Sequence, residues 1–206
     1  ARANGQIIIN DIDDWYWGLD TSNQAWKATH PKYNKKENIG NYRLILAASD
    51  LVTVSTPYLA SRLTWVKCPM QIVRNTVDVS RFTPVVHTDK EKPIVGWAGS
   101  TAHRSRDLET VSGIIRPLFT NGEILLQHSG DHPHFPSFAE RIGVRKEDVI
   151  TEPLSDQDGY PSILNFDIGI VPLNKIPFNQ AKSYIKGLEY AAAGIPFVAQ
   201  ELDPYT

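Results

Sequence analysis

Short apolar runs recur along the chain, separated by ten to twenty residues whose apolar positions follow a helical rhythm. The runs at 6–9, 51–55, 70–73, 93–98, 123–128, 149–151, 167–171 and 196–199 predict strands, each being brief, apolar and bounded by turn residues. Helical spacing predicts helices over 39–48, 58–65, 106–119, 138–143, 157–165 and 183–193. Strands alternating with helices of this length imply parallel pairing through right-handed crossovers, hence an α/β doubly wound architecture. Between 74 and 89 the rhythm lapses and Pro84 interrupts it, which marks a linker between two blocks. Ligands of such sheets bind beyond the carboxyl ends of the strands, so the loops there carry the chemistry.

Composition narrows the class. The 206 residues are 41% hydrophobic and 21% charged, the balance of a soluble globular chain of one large domain or one and a half ordinary ones. A formal net charge of -2 argues against a nucleic-acid partner, whose phosphates need a basic surface. Cys68 is the single cysteine, which excludes an intrachain disulfide and fits a reducing compartment. No apolar run is long enough to cross a bilayer and no signal peptide opens the chain, so the expected location is the cytoplasm. Both ends read as cut. The chain opens on Ala1 and closes at Pro204-Tyr205-Thr206 with no helix to cover the last strand, so a fragment of a longer enzyme is expected.

The segment 182–199 reads as a helix stopped by Gly194 and Pro196 and followed by a buried strand. Lys182, Lys186 and Glu189 fall at i, i+4 and i+7 of that helix and would share one face. Ammonium groups suit phosphate and a carboxylate suits two sugar hydroxyls, so the face suits a nucleotide diphosphate with its ribose. A solvated stripe with a weak Lys186–Glu189 pair is the alternative.

Residues 96–108 run from a strand through Gly99, Ser100, Thr101, His103 and Arg104 into a helix start. Small residues let a ligand approach the backbone, and N–H groups at a helix start favour anions. The pattern is neither a P-loop nor Gly-x-Gly-x-x-Gly, and an ordinary capped turn is the competing reading. Three histidines and an aspartate crowd 128–134, a density that raises a metal site. No distant second ligand cluster accompanies them, so Gly130 and Asp131 are read as shaping a loop at a ligand cleft and no metal is assigned. Asp11-Ile12-Asp13-Asp14, placed after the first expected strand, is read as an acidic capping turn or an acceptor-side feature. Asn75 and Asp78 are read as turn formers.

The order of these segments is more specific than any one of them. Residues 49–55, Asn75 with Val77-Asp78 and Phe82, Gly96-Trp97-x-Gly-Ser with His103 and Asp107-Leu108, 166–173, and Lys182-Ser183…Lys186…Glu189 with Ala-Gly-Ile-Pro follow one another in a series. This series resembles the GT-B glycosyltransferases, in particular the family 4-like enzymes (glycosyl transferases group 1) of bacterial polysaccharide assembly. The resemblance implies two Rossmann-like domains. Residues 1–78 would be the later half of an acceptor domain, and 79–206 a nucleotide-sugar-binding domain truncated at its end.

It further implies that Glu189 holds the ribose hydroxyls and that Gly99 and Ser100 form the turn beside the donor phosphates. Lys182 and Ser183 would lie near the pyrophosphate or the donor sugar, with Lys186, Arg104 and Gly130 completing the donor site. Lys182 would stabilise the leaving diphosphate, and His103 is a candidate acceptor-activating base. Fixed cations would do the work of a metal, so neither a metal nor a cofactor is expected beyond the nucleotide-diphosphate-sugar donor. The acceptor would be a glycan, a lipid-linked glycan or a small molecule, with peripheral membrane association through segments outside this chain. One departure concerns Ala181, which occupies the place of an earlier family glutamate that touches the donor sugar. It leaves the sugar and the stereochemical course open. The rivals are a nucleotide-sugar epimerase of the same plan, a nucleotide-sugar-binding fragment without activity, and a GT-A enzyme that binds metal through Asp11 and Asp13.

Overall fold

The computed structural model describes residues 4–30, 32, 33, 37–153, 158–203, 205 and 206. In chain order its elements are β1 (Ile9–Ile12), α1 (Trp26–Thr29), α2 (Asn38–Ala47), β2 (Leu51–Val54), α3 (Pro57–Arg62), β3 (Met70–Ile72), β4 (Ile94–Ala98), α4 (Glu109–Thr120), β5 (Leu125–Ser129), α5 (Phe138–Ile142), β6 (Val149–Glu152), β7 (Ile168–Val171), α6 (Pro177–Gln180), α7 (Ile185–Ala192) and β8 (Phe197–Ala199). They divide into two compact units. The first comprises 1–75, 175–184 and 201–206, and the second 76–174 and 185–200. The division differs from the expected boundary after residue 78 and assigns 175–184 and 201–206 to the first unit.

The first unit holds a parallel sheet of order β1-β2-β3. Alternation along β2 buries Val52 and Val54, and Ile12 of β1 meets Val54 in register. These residues pack with Leu46, Leu59, Leu63 and Ala181. Strand β1 lies further along the chain than the apolar run at 6–9 predicted. Ile7 is 75% exposed and Ile9 59% exposed, so Ile12 is the residue that anchors the strand. Asp11 therefore lies inside β1 with its carboxylate hydrogen-bonded by Thr53, and only Asp13 and Asp14 follow the strand.

Helix α3 starts at Pro57 behind a Thr56 cap whose hydroxyl accepts from Leu59 N (3.1 Å). The same hydroxyl donates to the Ala181 carbonyl (3.1 Å) and so ties a distant segment to the cap. Thr56→Ala should lower stability by about 1–2 kcal/mol in urea denaturation, with Thr56→Ser recovering most of it. An unchanged midpoint in the alanine variant would remove the cap from the account.

The second unit is a five-stranded parallel sheet of order β6-β5-β4-β7-β8. Its first strand, β4, sits centrally, with later strands added outward on each side. That is the order of a Rossmann half, whose winding reverses between β4 and β7. The core joins Val95 and Trp97 of β4 to Leu108, Ile115, Leu126, Phe138, Ile142 and Ile170. Gly96 is glycine because a Cβ there would stand 2.1 Å from the Phe166 ring. The expected helix over 157–165 shrinks to a 3-10 turn, Tyr160–Ile163, with Gln157 outside the described residues. Helices α1 and α6 were not foreseen, being single turns too short to set a rhythm.

Candidate functional site

The second unit brings together the loops that follow β4, β5 and β7. Gly99, directly after β4, donates its N–H to Ser129 O (2.8 Å), and Thr101 N donates to Gly130 O (3.0 Å). The two turns therefore lie back to back. Gly130 has φ +116°, and a Cβ there would fall 2.3 Å from the Gly99 carbonyl oxygen. Ser100 Oγ accepts from Ala102 N (3.1 Å), and Arg104 Nε donates to Ser100 O (2.7 Å) with its guanidinium 5.1 Å from the Trp97 ring centre. Asn174, past β7, donates from its N–H to Asp107 Oδ1 (2.9 Å) and from Nδ2 to Ser105 O (2.9 Å), locking the loops on either side of the winding reversal. Gly99, Ser100, Arg104 and Gly130 thus form one construction. His103 lies on the exposed side of the same loop at φ +52°, edge-on to Phe135.

Of the crowded histidines, His128 serves the core. It stacks with both Trp97 and Phe138 at 5.1 and 4.9 Å, with Nδ1 2.9 Å from Trp97 O and Nε2 3.0 Å from Asp131 Oδ1. Burial against the rings pushes its pKa down, although the carbonyl and the carboxylate push back. A histidine that holds its proton less tightly when folded supports full stability above the ordinary histidine range, and stability falls as pH drops through about 6.5. Denaturation midpoints near about pH 7.5 and about pH 5.5 should differ in that direction and differ less in His128→Gln. A midpoint higher in acid would reverse the assignment. Asp131, His132, Phe135, Ser137 and Glu140 line a cavity of about 480 Å³ beside this stack. Among the described residues no group of three or more His, Cys, Asp or Glu is arranged to hold a metal ion.

Helix α7 carries the other group. Lys186 Nζ lies 2.8 Å from Glu189 Oε2, both side chains largely buried at 22% and 17% exposure. Tyr160 OH lies 2.9 Å from the same Oε2 and 2.5 Å from Lys186 Nζ. Burial lowers the Lys186 pKa against the opposing pull of Glu189. Burial raises that of Tyr160 strongly, with Glu189 adding to it, so the phenol keeps its proton at any physiological pH. The Arg104 charge acts on both Lys186 and Tyr160, so the turn construction and this triad share one electrostatic environment. Beside the triad lies a cavity of about 370 Å³ whose walls include Asp78, Arg81, Phe82, Pro161 and Ile185. Because α7 leads back into a parallel strand, its N-terminal end faces the carboxyl edge of the sheet, where Rossmann ligands bind.

The single face expected for Lys182, Lys186 and Glu189 does not form. Helix α7 begins at Ile185, and Lys182 and Ser183 lie in a turn after the separate helix α6, within the first unit. The cause is tertiary. Pro177 starts a new helix, Ala181 O is held by Thr56, and Ser183 Oγ accepts from Asn75 Nδ2 (2.8 Å). Within that unit Asn75 Nδ2 also reaches Asp13 (3.1 and 3.2 Å), while Lys182 Nζ stands 3.7 Å from Asp14 and 4.5 Å from the Phe178 ring centre. Asn75 thus bridges Asp13 and Ser183 and is more than a turn former. Sequence reasoning missed that pairing and missed Tyr160, which stands 29 residues from its partner Glu189.

No protein-family model and no curated protein matches the chain. Solved structures do. The S. aureus TarM variant in complex with Fondaparinux, alpha-GlcNAc-glycerol and UDP aligns over 95% of this chain and 37% of its own, at TM-score 0.60 and 13% identity. A glycosyltransferase from Rickettsia africae ESF-5 aligns over 94% of this chain and 51% of its own, at TM-score 0.54 and 13% identity. The pneumococcal O-GlcNAc transferase GtfA in complex with UDP and GlcNAc aligns over 95% and 38%, at TM-score 0.52 and 10% identity. The chain therefore spans between about a third and a half of the length of these proteins. Its parallel sheets flanked by helices are an α/β fold of the GT-B type.

Proposed function

We propose that the chain is the donor-handling portion of a glycosyltransferase that moves a sugar from a nucleoside diphosphate sugar to a hydroxyl acceptor without a metal. The observation that carries this reading is the cavity walled by Tyr160, Lys186 and Glu189 at the carboxyl edge of a Rossmann-ordered sheet. A largely buried carboxylate suits the two hydroxyls of a ribose. The glycine turns at 99 and 130 suit a diphosphate, because small residues let it approach backbone N–H groups. The transfer breaks the bond between the anomeric carbon and the diphosphate and forms one to the acceptor oxygen, which releases its proton. Negative charge grows on the diphosphate, and fixed cations near it lower the barrier. Arg104 fits that role in the second unit, while Lys182 is carried by the family resemblance. UDP is the first base to try, because it is the nucleotide bound in the TarM and GtfA complexes.

The test is to incubate the chain with UDP-, GDP-, ADP- and TDP-sugars, with and without oligosaccharide acceptors and a strong chelator. Release of a free nucleoside diphosphate that persists in chelator supports the reading. Conversion of the donor to an epimer with its diphosphate bond intact, or loss of all activity in chelator, contradicts it.

A further inference from the structure

Glu189 uses only half of its carboxylate within the protein. Both of its partners, Lys186 Nζ at 2.8 Å and Tyr160 OH at 2.9 Å, converge on Oε2. Among the described residues Oε1 receives no hydrogen bond, and it is not among the buried unpartnered atoms. The proton arithmetic is fixed by chemistry. An ammonium only donates, so in the 2.5 Å contact between Lys186 and Tyr160 the phenol oxygen accepts. Its single proton is then left for Glu189. All three residues of the triad line the cavity, together with Asp78, Phe82 and Ile185. We propose, building on the donor-site reading above, that Tyr160 is a positioning residue that ties one oxygen of Glu189 and leaves the other for a hydroxyl of a ribonucleotide.

A carboxylate free to rotate would offer either oxygen and would discriminate weakly between ligands with one hydroxyl or two. Held by Tyr160 and Lys186, it offers Oε1 in one orientation, and the remaining N–H of Lys186 can donate to the neighbouring hydroxyl. A ligand that lacks one of these hydroxyls leaves a largely buried charged group unpaired, which sites of this kind penalise strongly. The class selected is therefore the ribonucleoside diphosphates, against their deoxy counterparts.

Calorimetric titration of the intact chain with UDP, GDP and ADP and with their 2′-deoxy and 3′-deoxy analogues tests this, in wild type and in Tyr160→Phe. The phenylalanine keeps the ring and removes only the hydroxyl. In wild type, at least one deoxy analogue should bind about tenfold more weakly than its parent. In Tyr160→Phe that ratio should fall toward one, by about threefold or more, through loss of affinity for the parent while the deoxy analogue is nearly unaffected. A merely structural role for the hydroxyl would weaken parent and analogue alike. An unchanged ratio in Tyr160→Phe, or an equal loss for both ligands, overturns the proposal. A wild type that binds none of the diphosphates, or binds parent and analogues equally, instead overturns the donor-site reading on which it rests.

Discussion

Glu189→Ala is expected to weaken nucleoside diphosphate binding by roughly ten- to a hundredfold, the worth of hydrogen bonds to a charged acceptor. Two effects combine in that variant. The ribose of the proposed donor site would lose its acceptor, and Lys186 becomes a largely buried cation with no counter-ion at 2.8 Å. Glu189→Gln separates them, because it keeps the shape and one acceptor oxygen while removing the charge. Calorimetry on both variants, each checked for native circular dichroism, should order the affinities as wild type, then Gln, then Ala. Binding by Glu189→Ala as tight as in wild type would remove Glu189 from the ribose.

Gly130→Ala should be the most damaging single methyl added to the second unit's ligand loops. The left-handed φ of +116° already strains any side chain, at about 1–3 kcal/mol. The Cβ would also stand 2.3 Å from Gly99 O and 3.1 Å from Ser100 N, and both are backbone atoms that cannot swing aside. The turns would have to part, breaking the bond from Thr101 N to Gly130 O. A loss of roughly 3 kcal/mol or more in urea denaturation is expected, together with weaker diphosphate binding. A loss under about 1 kcal/mol would mean that the two turns are not held together as described.

Much of this architecture is written in short-range pattern. The inner strands β4 and β7 of the second unit are almost wholly buried, so each reads as an apolar run, and the spacing of the strands dictates parallel crossovers. Pattern fails where a distant residue decides. Ala181-Lys182-Ser183-Tyr184 contains no strong breaker, and locally a helix through it is reasonable. Contacts from Thr56 and Asn75, more than a hundred residues away, hold it out of the helix. The run at 6–9 misleads for a related reason. Burial of Ile12 against Val54 sets the strand, while Ile7 and Ile9 before it stay exposed. In the candidate site, Lys186 and Glu189 are legible as neighbours one helical turn apart, whereas Tyr160 is not. It reaches them from a 3-10 turn whose helical spacing says nothing of the distant helix it meets. His128 shows the converse case: a residue that looks like a metal ligand by company is held in the core by two aromatic rings.

The central claim is that a nucleoside diphosphate binds in the second unit with its ribose on Glu189. A crystal structure of the chain with bound UDP, or with whichever diphosphate binds by calorimetry, tests it most directly. A ribose hydroxyl is expected within about 3 Å of Glu189 Oε1, with Tyr160 still on Oε2. A nucleotide bound elsewhere on the chain, or one whose ribose turns away from Glu189, would contradict it.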